Sequence, residues 1–287
     1  MKFIPLTFDL SAKFFFHSDG VIIKRFLEAV LNIKVNDYEL LENELPVTNF
    51  KEYYMTTDIV LKVNGELIVN IEINRTYFKN VLNKSLNYLG KFITIRVTRG
   101  DDVEDPKYNI IQLNLNAESY VNDKAKRVVR LMYEDSNEIF VENIKMIISN
   151  IDKYSKMYYN GDRSDEVAFI ALFEADSFEK LDEMLKGRVP DKNRINFIRR
   201  YKEMCGKPEI ITAYEKEMGE RTVINSMMEN ATNDGIEQGI ELGIEQGVAQ
   251  EKEQMVKLML KEKIPYDTIS KVSGLTIEAI KKLENQE

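Results

Sequence analysis

The chain has very few of the residues that build the commonest metal and hydrolase sites. Among 287 residues there is one cysteine, Cys205, one histidine, His17, and no tryptophan. A single cysteine excludes an internal disulfide, and one cysteine with one histidine cannot form a zinc cluster of these ligands. Ser-His-Asp and Cys-His hydrolase schemes are excluded in practice, because only His17 could serve in them. We expect His17 to be a surface or helix-end residue and any bound metal ion to have oxygen ligands.

Long apolar runs and an excess of positive charge are missing as well. No run approaches the roughly 18 to 20 apolar residues that span a bilayer, and the first residues, with Asp9 close behind, do not read as a signal peptide. We therefore expect a cytoplasmic protein without a membrane partner. The net charge is −8, which argues against a protein covered by nucleic acid. It leaves room for a local basic surface beside an acidic site.

The composition indicates a folded chain with more than one unit. Hydrophobic residues make up 44% and charged residues 31% of the chain, as in soluble globular proteins. A chain of 287 residues is long enough for one large core and an appendage. We predict an α/β core over 1–120, a helical region over 121–230, and a small helical tail over 231–287. Beyond Asn116 the pattern predicts helix to the end of the chain.

A β-hairpin between residues 57 and 74 is the most informative segment. Asn64-Gly65 lies between two runs rich in Val, Ile and Leu, which is the strongest short-range hairpin signal. A two-residue loop would pair Ile59 with the polar Asn70. A three-residue loop gives an unbroken apolar face, which we favour. Its predicted pairs are Val63 with Leu67, Leu61 with Val69, and Ile59 with Ile71.

This register brings three polar residues to the other face of the hairpin. Asp58 is placed opposite Glu72, and Asn74 joins them because strand side chains alternate with a period of two. Two facing carboxylates are a natural oxygen site for Mg²⁺ or Mn²⁺. Such an ion activates water and neutralises phosphoryl charge. The alternative interpretation is that both carboxylates simply lie on a solvent-exposed strand face without a metal ion.

Helices and strands are predicted around this hairpin. Asp19 is a suitable N-cap for a helix rich in Ile, Phe and Leu, and a short strand is expected over Tyr38–Leu41. After the hairpin, a helical period over 77–95 precedes a strand over 108–115, which suggests a βαβ-type crossover. Basic residues on and near this helix could contact phosphates, although a charged helix surface explains them equally well; they are Arg75, Lys79, Lys84 and Lys91.

The order of these motifs resembles the PD-(D/E)xK nuclease superfamily. Asp58 followed by Glu72-Ile73-Asn74 is similar to its D…(E)-x-K core. The flanking segments resemble the transposase-associated branch of recombination-promoting nucleases. The segments that carry this resemblance are Asp9-x-x-x-Lys13 before Phe14 and Phe15, a helix with Tyr88, the strand 108–114, and the tail. The resemblance implies a restriction-endonuclease-like core, a mixed central sheet flanked by helices, and a helical C-terminal extension.

The resemblance also implies roles for individual residues. Asp58 and Glu72 would hold the divalent metal, and Asn74 stands in the position usually occupied by lysine or glutamine. Asparagine can orient a water or a phosphate but lacks the positive charge of lysine. Asp9 and Lys13 would also belong to the catalytic site, although Asp9 is an equally good helix N-cap.

These implied roles lead to two functions of different kinds. The first is a Mg²⁺-dependent DNA endonuclease linked to recombination. The second, motivated by Asn74, is a catalytically impaired relative that binds DNA or assembles through its helical tail. An RNA-directed nuclease would use the same site and stays open.

The tail contains a repeat that predicts self-association or a plain connecting helix. Four glycines recur at a spacing of four, each costing about 1 kcal/mol against alanine in a helix interior; they are Gly235, Gly239, Gly243 and Gly247. A close helix-helix contact between copies through 231–287 would use the small side chains. The segment 269–280 resembles a helix-turn-helix unit, but seven lysines against seven acidic residues over 251–287 favour packing over DNA reading.

Overall fold

The computed structural model of the chain describes residues 2–41, 44–45, 55–56, 58–75, 81–96, 109–118 and 124–284. Its contacts divide the chain into two compact units, Met1–Tyr214 and Glu215–Glu287. The predicted division at 120 and 230 stays a prediction. The predicted phosphate contact Lys79 lies outside the described residues.

Strands and helices follow the order expected of an α/β protein. The strands are β1 Tyr38–Leu41, β2 Glu44–Leu45, β3 Met55–Thr56, β4 Ile59–Val63, β5 Leu67–Asn74, β6 Ile110–Asn116, β7 Lys126–Arg130 and β8 Ile144–Asn150. The helices are α1 Asp9–Ser18, α2 Gly20–Leu31, α3 Val81–Arg96, α4 Ile151–Tyr159, α5 Asp165–Ala171, α6 Phe178–Leu185, α7 Asp191–Cys205, α8 Pro208–Lys261, α9 Tyr266–Ser273 and α10 Ile277–Glu284.

Six of the strands form one mixed sheet in the order β1-β4-β5-β6-β8-β7. Strands β4 and β5 are antiparallel, whereas β5, β6 and β8 run parallel to one another. The crossover from β5 to β6 contains α3, as the βαβ prediction required. Strand β7 pairs antiparallel with β8 and forms one edge of the sheet. The predicted α/β architecture with a mixed central sheet is thereby confirmed.

The hairpin has the predicted three-residue register. Its pairs include Ile59 with Ile71, Leu61 with Val69, and Val63 with Leu67. Asn64 and Gly65 have φ of 52° and 75°, the left-handed region in which these two residue types are tolerated best. The turn therefore fixes which side chains of β5 face each side of the sheet.

The prediction of helix throughout the region after Asn116 is wrong. Strands β7 and β8 lie in that region, and β8 is a nearly buried strand that pairs parallel with β6. Buried parallel strands have continuous apolar runs, and such short runs cannot be told from buried helix by period alone. The helices predicted beyond residue 150 are present, with ends near the Gly and Pro residues at 161, 187–190 and 206–208.

Most of the core lies on one face of the sheet. Side chains of β4, β5 and β6 pack there against α1, α2 and the helices α4 to α7, so that one hydrophobic cluster includes residues from Ile4 to Cys205. Edge-to-face contacts join Phe15, Phe26 and Phe173 at its centre. The predicted N-cap Asp19 is confirmed, since its carboxylate accepts the N–H groups that begin α2.

The opposite face of the sheet is covered by α3. Tyr88 and Phe92 of this helix pack against Val60, Ile68 and Ile110. This small cluster is separate from the main core. The face that carries Glu72 is therefore an interior surface and not the solvated strand face of the alternative interpretation.

The second unit is formed by the C-terminal part of the chain. Helix α8 has 54 residues. Most side chains in this unit are exposed to solvent. The end of α8 packs with α9 and α10 through Val256, Ile269 and Ile280. A Cβ added at any of the four repeat glycines would meet no described atom within 4 Å.

Among the described helices, none combines the length and the apolar composition that crossing a membrane requires.

Candidate active site

Two carboxylates lie side by side where the hairpin strands meet their flanking loops. Asp58 immediately precedes β4, and Glu72 is the sixth residue of β5. The Asp58 backbone N–H donates to Glu72 Oε1 at 3.3 Å, and the Ile73 N–H donates to Asp58 Oδ2 at 2.8 Å. These reciprocal bonds are the result of the register that pairs Ile59 with Ile71. The hairpin thus brings the two carboxyls together as predicted.

Burial makes both carboxyls unusually easy to protonate. Glu72 is 1% exposed, and burial together with the nearby charge of Asp58 raises its pKa to about 7, although Lys84 acts in the opposite direction. Burial also raises the pKa of Asp58, against the lowering effects of the Ile73 N–H and Lys84. Two like charges held together in a poorly solvated place favour neutralisation by a proton or a cation.

Lys84 brings a positive charge into contact with this pair. Its Nζ lies 2.9 Å from Glu72 Oε2, and its side chain is 48% exposed. The ammonium also lies 5.3 Å from the centroid of the Tyr88 ring, one helical turn further along α3. Burial acts to lower the pKa of Lys84, but the carboxylate of Glu72 outweighs it and the pKa is raised. Lys84 therefore remains charged at neutral pH.

Asn74 is turned to a different partner. It is half-buried on the same strand face, and its Nδ2 donates to Asn116 Oδ1 at 3.0 Å. The two residues are direct neighbours in the parallel pairing of β5 with β6. In the described part of the chain, Asn74 makes no hydrogen bond to Asp58 or Glu72.

A buried network of amides lies beside Glu72. Asn70 Nδ2 donates to Gln112 Oε1 at 2.8 Å and approaches Glu72 Oε1 at 3.4 Å. Gln112 in turn donates to Asn114, which also accepts the hydroxyl of Ser85 on α3 at 2.9 Å. The network ties α3 to the sheet and restrains the orientation of Glu72.

Our sequence reasoning did not identify this network as part of the site. A usable signal was present, because residues 112, 114 and 116 are polar at alternate positions of a strand that is otherwise apolar. Parallel pairing then puts them beside residues 70, 72 and 74. Without the register between β5 and β6, the two polar rows could not be aligned.

The start of α1 forms one border of the site. Asp9 and Lys13 make an ion pair of 3.0 Å, one turn apart. Both charges act on the pKa of Asp58, Asp9 raising it and Lys13 lowering it. Asp9 is the first helical residue and not the N-cap, because Phe8 occupies that position without a side-chain bond. The alternative interpretation of Asp9 as an N-cap is therefore wrong.

A cavity of about 240 Å³ opens beside Asp58. It is lined by Lys13, His17, Leu40, Leu41, Asp58, Ile59 and Val60. His17 lies in the last turn of α1, as expected, and its Nδ1 donates to the Lys13 carbonyl at 2.7 Å. A small polar group bound in this cavity would contact the carboxylate of Asp58 and the positive charge of Lys13.

The remaining predicted phosphate contacts are placed differently. Arg75 follows β5 directly, where its Nε donates to the Thr7 carbonyl and its guanidinium lies 5.0 Å from the Phe8 ring centroid. Arg75 thus connects the end of β5 to the start of α1. Lys91 is a half-buried residue of α3, two turns beyond Lys84. Lys84, by contrast, is in direct contact with Glu72 of the acidic pair.

The donor set is compatible with a hard divalent cation. Asp58 and Glu72 offer carboxylate oxygens, which Mg²⁺ and Mn²⁺ prefer. In the part of the chain that the structure describes, no group of three or more His, Cys, Asp or Glu side chains is placed to hold a metal ion. A cation at this pair would complete its coordination with water, backbone carbonyls or substrate oxygens, which is usual for Mg²⁺.

The fold and the acidic pair together define a protein with a restriction-endonuclease-like core. A mixed six-stranded sheet with flanking helices has its acidic hairpin under α3. The family described as PD-(D/E)XK nuclease family transposase matches residues 13–231, and the chain belongs to this family. The matched range includes Asp58, Glu72 and Asn74, whereas Asp9 precedes it. No curated protein and no solved structure matches the chain.

Proposed function

We propose that the chain is a Mg²⁺- or Mn²⁺-dependent endonuclease that hydrolyses phosphodiester bonds in DNA. The observation that carries the proposal is the pair of carboxyls of Asp58 and Glu72, fixed side by side by bonds from each other's strand. Membership in a family of nucleases supports the class of reaction. A cytoplasmic location and a part in DNA recombination belong to the same proposal.

The hairpin residues would hold the metal and keep its ligands in place. Asp58 and Glu72 would bind the ion, which when bound acidifies a water molecule and neutralises charge on the phosphoryl group. The Ile73 N–H restrains Asp58 at 2.8 Å, and the Asn70 amide restrains Glu72 at 3.4 Å. Carboxylates held in this way before substrate arrives need little rearrangement during the reaction.

Lys13 is proposed to bind the DNA backbone at the cavity beside Asp58. Its side chain is 37% exposed, and its ammonium is oriented by the ion pair with Asp9. A lysine at this border would compensate part of the negative charge that an acidic protein presents to DNA. The roles of Arg75, Lys79 and Lys91 as phosphate contacts stay predictions.

Plasmid cleavage tests the proposal. Purified protein with Mg²⁺ or Mn²⁺ is expected to nick supercoiled DNA, and Asp58→Ala or Glu72→Ala is expected to abolish nicking. Asp176→Ala is the matched control, because it removes an exposed carboxylate from the ion pair with Lys180 and leaves the site intact. Unchanged nicking by both site variants would disprove the site assignment. An RNA substrate of the same sequence, assayed in parallel, decides between DNA and RNA as the preferred substrate.

A second candidate function is assembly without cleavage. It is favoured by the position of Asn74, whose amide is bound to Asn116 instead of the carboxylates. Exposed apolar residues on α8, such as Ile236, Ile240 and Ile244, are suitable for contact with a second copy. This candidate predicts an oligomer in sedimentation that dissociates when the three isoleucines are replaced by glutamine, together with no heat of Mg²⁺ binding in calorimetry.

A further inference from the structure

The position two residues after Glu72 does not supply a positive charge to the candidate active site. Asn74 occupies it, its side chain is neutral, and its amide donates to Asn116 at 3.0 Å. Hydrolysis of a phosphodiester places additional negative charge on the phosphoryl oxygens in the transition state. A nuclease with only a metal ion and two carboxylates would have no cationic side chain beside the metal to stabilise that charge.

We infer that Lys84 of α3 is the catalytic cation of this site, an inference that rests on the proposed nuclease function. Its Nζ is 2.9 Å from Glu72 Oε2, at the place where a buried carboxylate meets the surface. Glu72 is 1% exposed, whereas the Lys84 side chain is 48% exposed. The ammonium therefore contacts Glu72 of the acidic pair, and the half-exposed side chain leaves room for a bound phosphate.

The fold holds this lysine in position. The hydroxyl of Ser85, the next residue, donates to Asn114 of β6 at 2.9 Å. Tyr88 and Phe92 of the same helix pack on the apolar end of the sheet face. A lysine on an anchored helix loses less conformational entropy on binding substrate than a lysine on a loop. Its charge is therefore already near the reacting atoms before substrate binds.

The role requires positive charge and not proton transfer. In the hydrolysis, the oxygen of a water molecule bonds to phosphorus and the bond from phosphorus to one sugar oxygen breaks. The attacking water loses one proton to solvent, and the leaving sugar oxygen takes up one proton from solvent. Lys84 stabilises the negative charge on the non-bridging oxygens between these events.

A purely structural lysine would have the same contact with Glu72 but different consequences when removed. If Lys84 only neutralised the buried carboxylate, Lys84→Met would lower the stability of the folded protein, and saturating Mg²⁺ would replace the missing charge and leave kcat nearly unchanged. If Lys84 is the catalytic cation, the variant binds Mg²⁺ at least as tightly, because a cation that competes for Glu72 is gone. Its loss would appear in kcat, with KM for DNA nearly unchanged.

The test compares full-length wild type, Lys84→Met, and Lys84→Met combined with Asn74→Lys. We expect Lys84→Met to lower kcat for plasmid nicking about 10²- to 10³-fold, the usual effect of removing one transition-state donor. The double variant is expected to recover at least tenfold of this loss, because it returns a lysine two positions after Glu72. Lys180→Met is the matched control, since Lys180 is likewise ion-paired with a carboxylate, that of Asp176, and close to a tyrosine ring.

Each outcome of this experiment decides a different claim. Equal kcat in wild type and Lys84→Met overturns the inference and leaves the nuclease proposal intact. Loss of activity together with loss of Mg²⁺ affinity in calorimetry, or no recovery in a folded double variant, also overturns it. A wild type that cuts neither DNA nor RNA with Mg²⁺ or Mn²⁺ overturns the proposed function and this inference with it.

Discussion

Replacing Glu72 by glutamine tests the electrostatics of the buried acidic pair without any assumption about the substrate. The pKa of this carboxyl rises from 4.5 to about 7 on folding, first because of burial and then because of the charge of Asp58. Each tenfold change in a protonation equilibrium is about 1.4 kcal/mol. The folded protein therefore loses about 3 kcal/mol of stability through this one group when it ionises.

The direction of the pH dependence follows from the raised pKa. The folded state binds the proton more tightly than the unfolded state, so the stabilisation is fully present below pH 4.5 and is lost as the pH rises through about 7. Glutamine does not titrate, and Lys84 keeps its charge over this range because its own pKa is raised. The stability of wild type relative to Glu72→Gln should therefore fall across this window.

Urea unfolding followed by circular dichroism, in buffers with a metal chelator, measures this difference. The gap in unfolding free energy between the two proteins is expected to change by about 3 kcal/mol between pH 4.5 and pH 8.5. Glu179→Gln, at an exposed glutamate of α6, is the control and should parallel wild type. Parallel curves for Glu72→Gln and wild type would refute the reasoning. At pH 8, Mg²⁺ at a hundred times its Kd should restore about 2.7 kcal/mol to wild type and not to Glu72→Gln.

Four further substitutions test the fold. Gly65→Ala should lower the unfolding free energy by about 1 kcal/mol in urea titrations, because φ at Gly65 is 75°. Gly90→Ala should raise it by up to about 1 kcal/mol, since this glycine is inside α3 and an added Cβ has open space. Phe26→Ala should cost about 3 to 5 kcal/mol, as expected for a fully buried ring. Gly239→Ala should stabilise α8 by about 1 kcal/mol in thermal melts; a smaller mass in sedimentation would show instead that a second copy packs on this glycine.

The hairpin could be predicted from sequence because its information is local. Asn64-Gly65 marked the turn, and a single choice of loop length paired Ile59, Leu61 and Val63 of β4 with apolar residues of β5. The same alignment placed Asp58 beside Glu72. The two-residue period of apolar side chains and the identity of the turn residues were sufficient to predict the register, because the two strands are adjacent in sequence.

The surroundings of the pair could not be predicted in the same way. That α3 covers the face with Glu72, and that Lys84 reaches its carboxylate, depends on how a helix packs on a sheet. From the sequence alone, Lys84 could not be distinguished from Lys79 or Lys91 as a candidate phosphate contact. Strands β7 and β8 were missed for a related reason, since five and seven residues are too few to separate strand from helix by period.

The open edge of the sheet at β7 has a consequence for the behaviour of the protein at high concentration. Among the described strands its one neighbour is β8, and its Val128 and Val129 are nearly half exposed. An edge with exposed valines is a template on which strands of other molecules can add and form aggregates. Arg127 and Arg130 on the same strand place positive charge along that edge. Arg130 is ion-paired with Glu142 at 3.4 Å, so this edge carries charged and hydrogen-bonding groups that strands of other molecules would have to desolvate. Neutral replacements of these arginines should therefore lower the solubility of the protein.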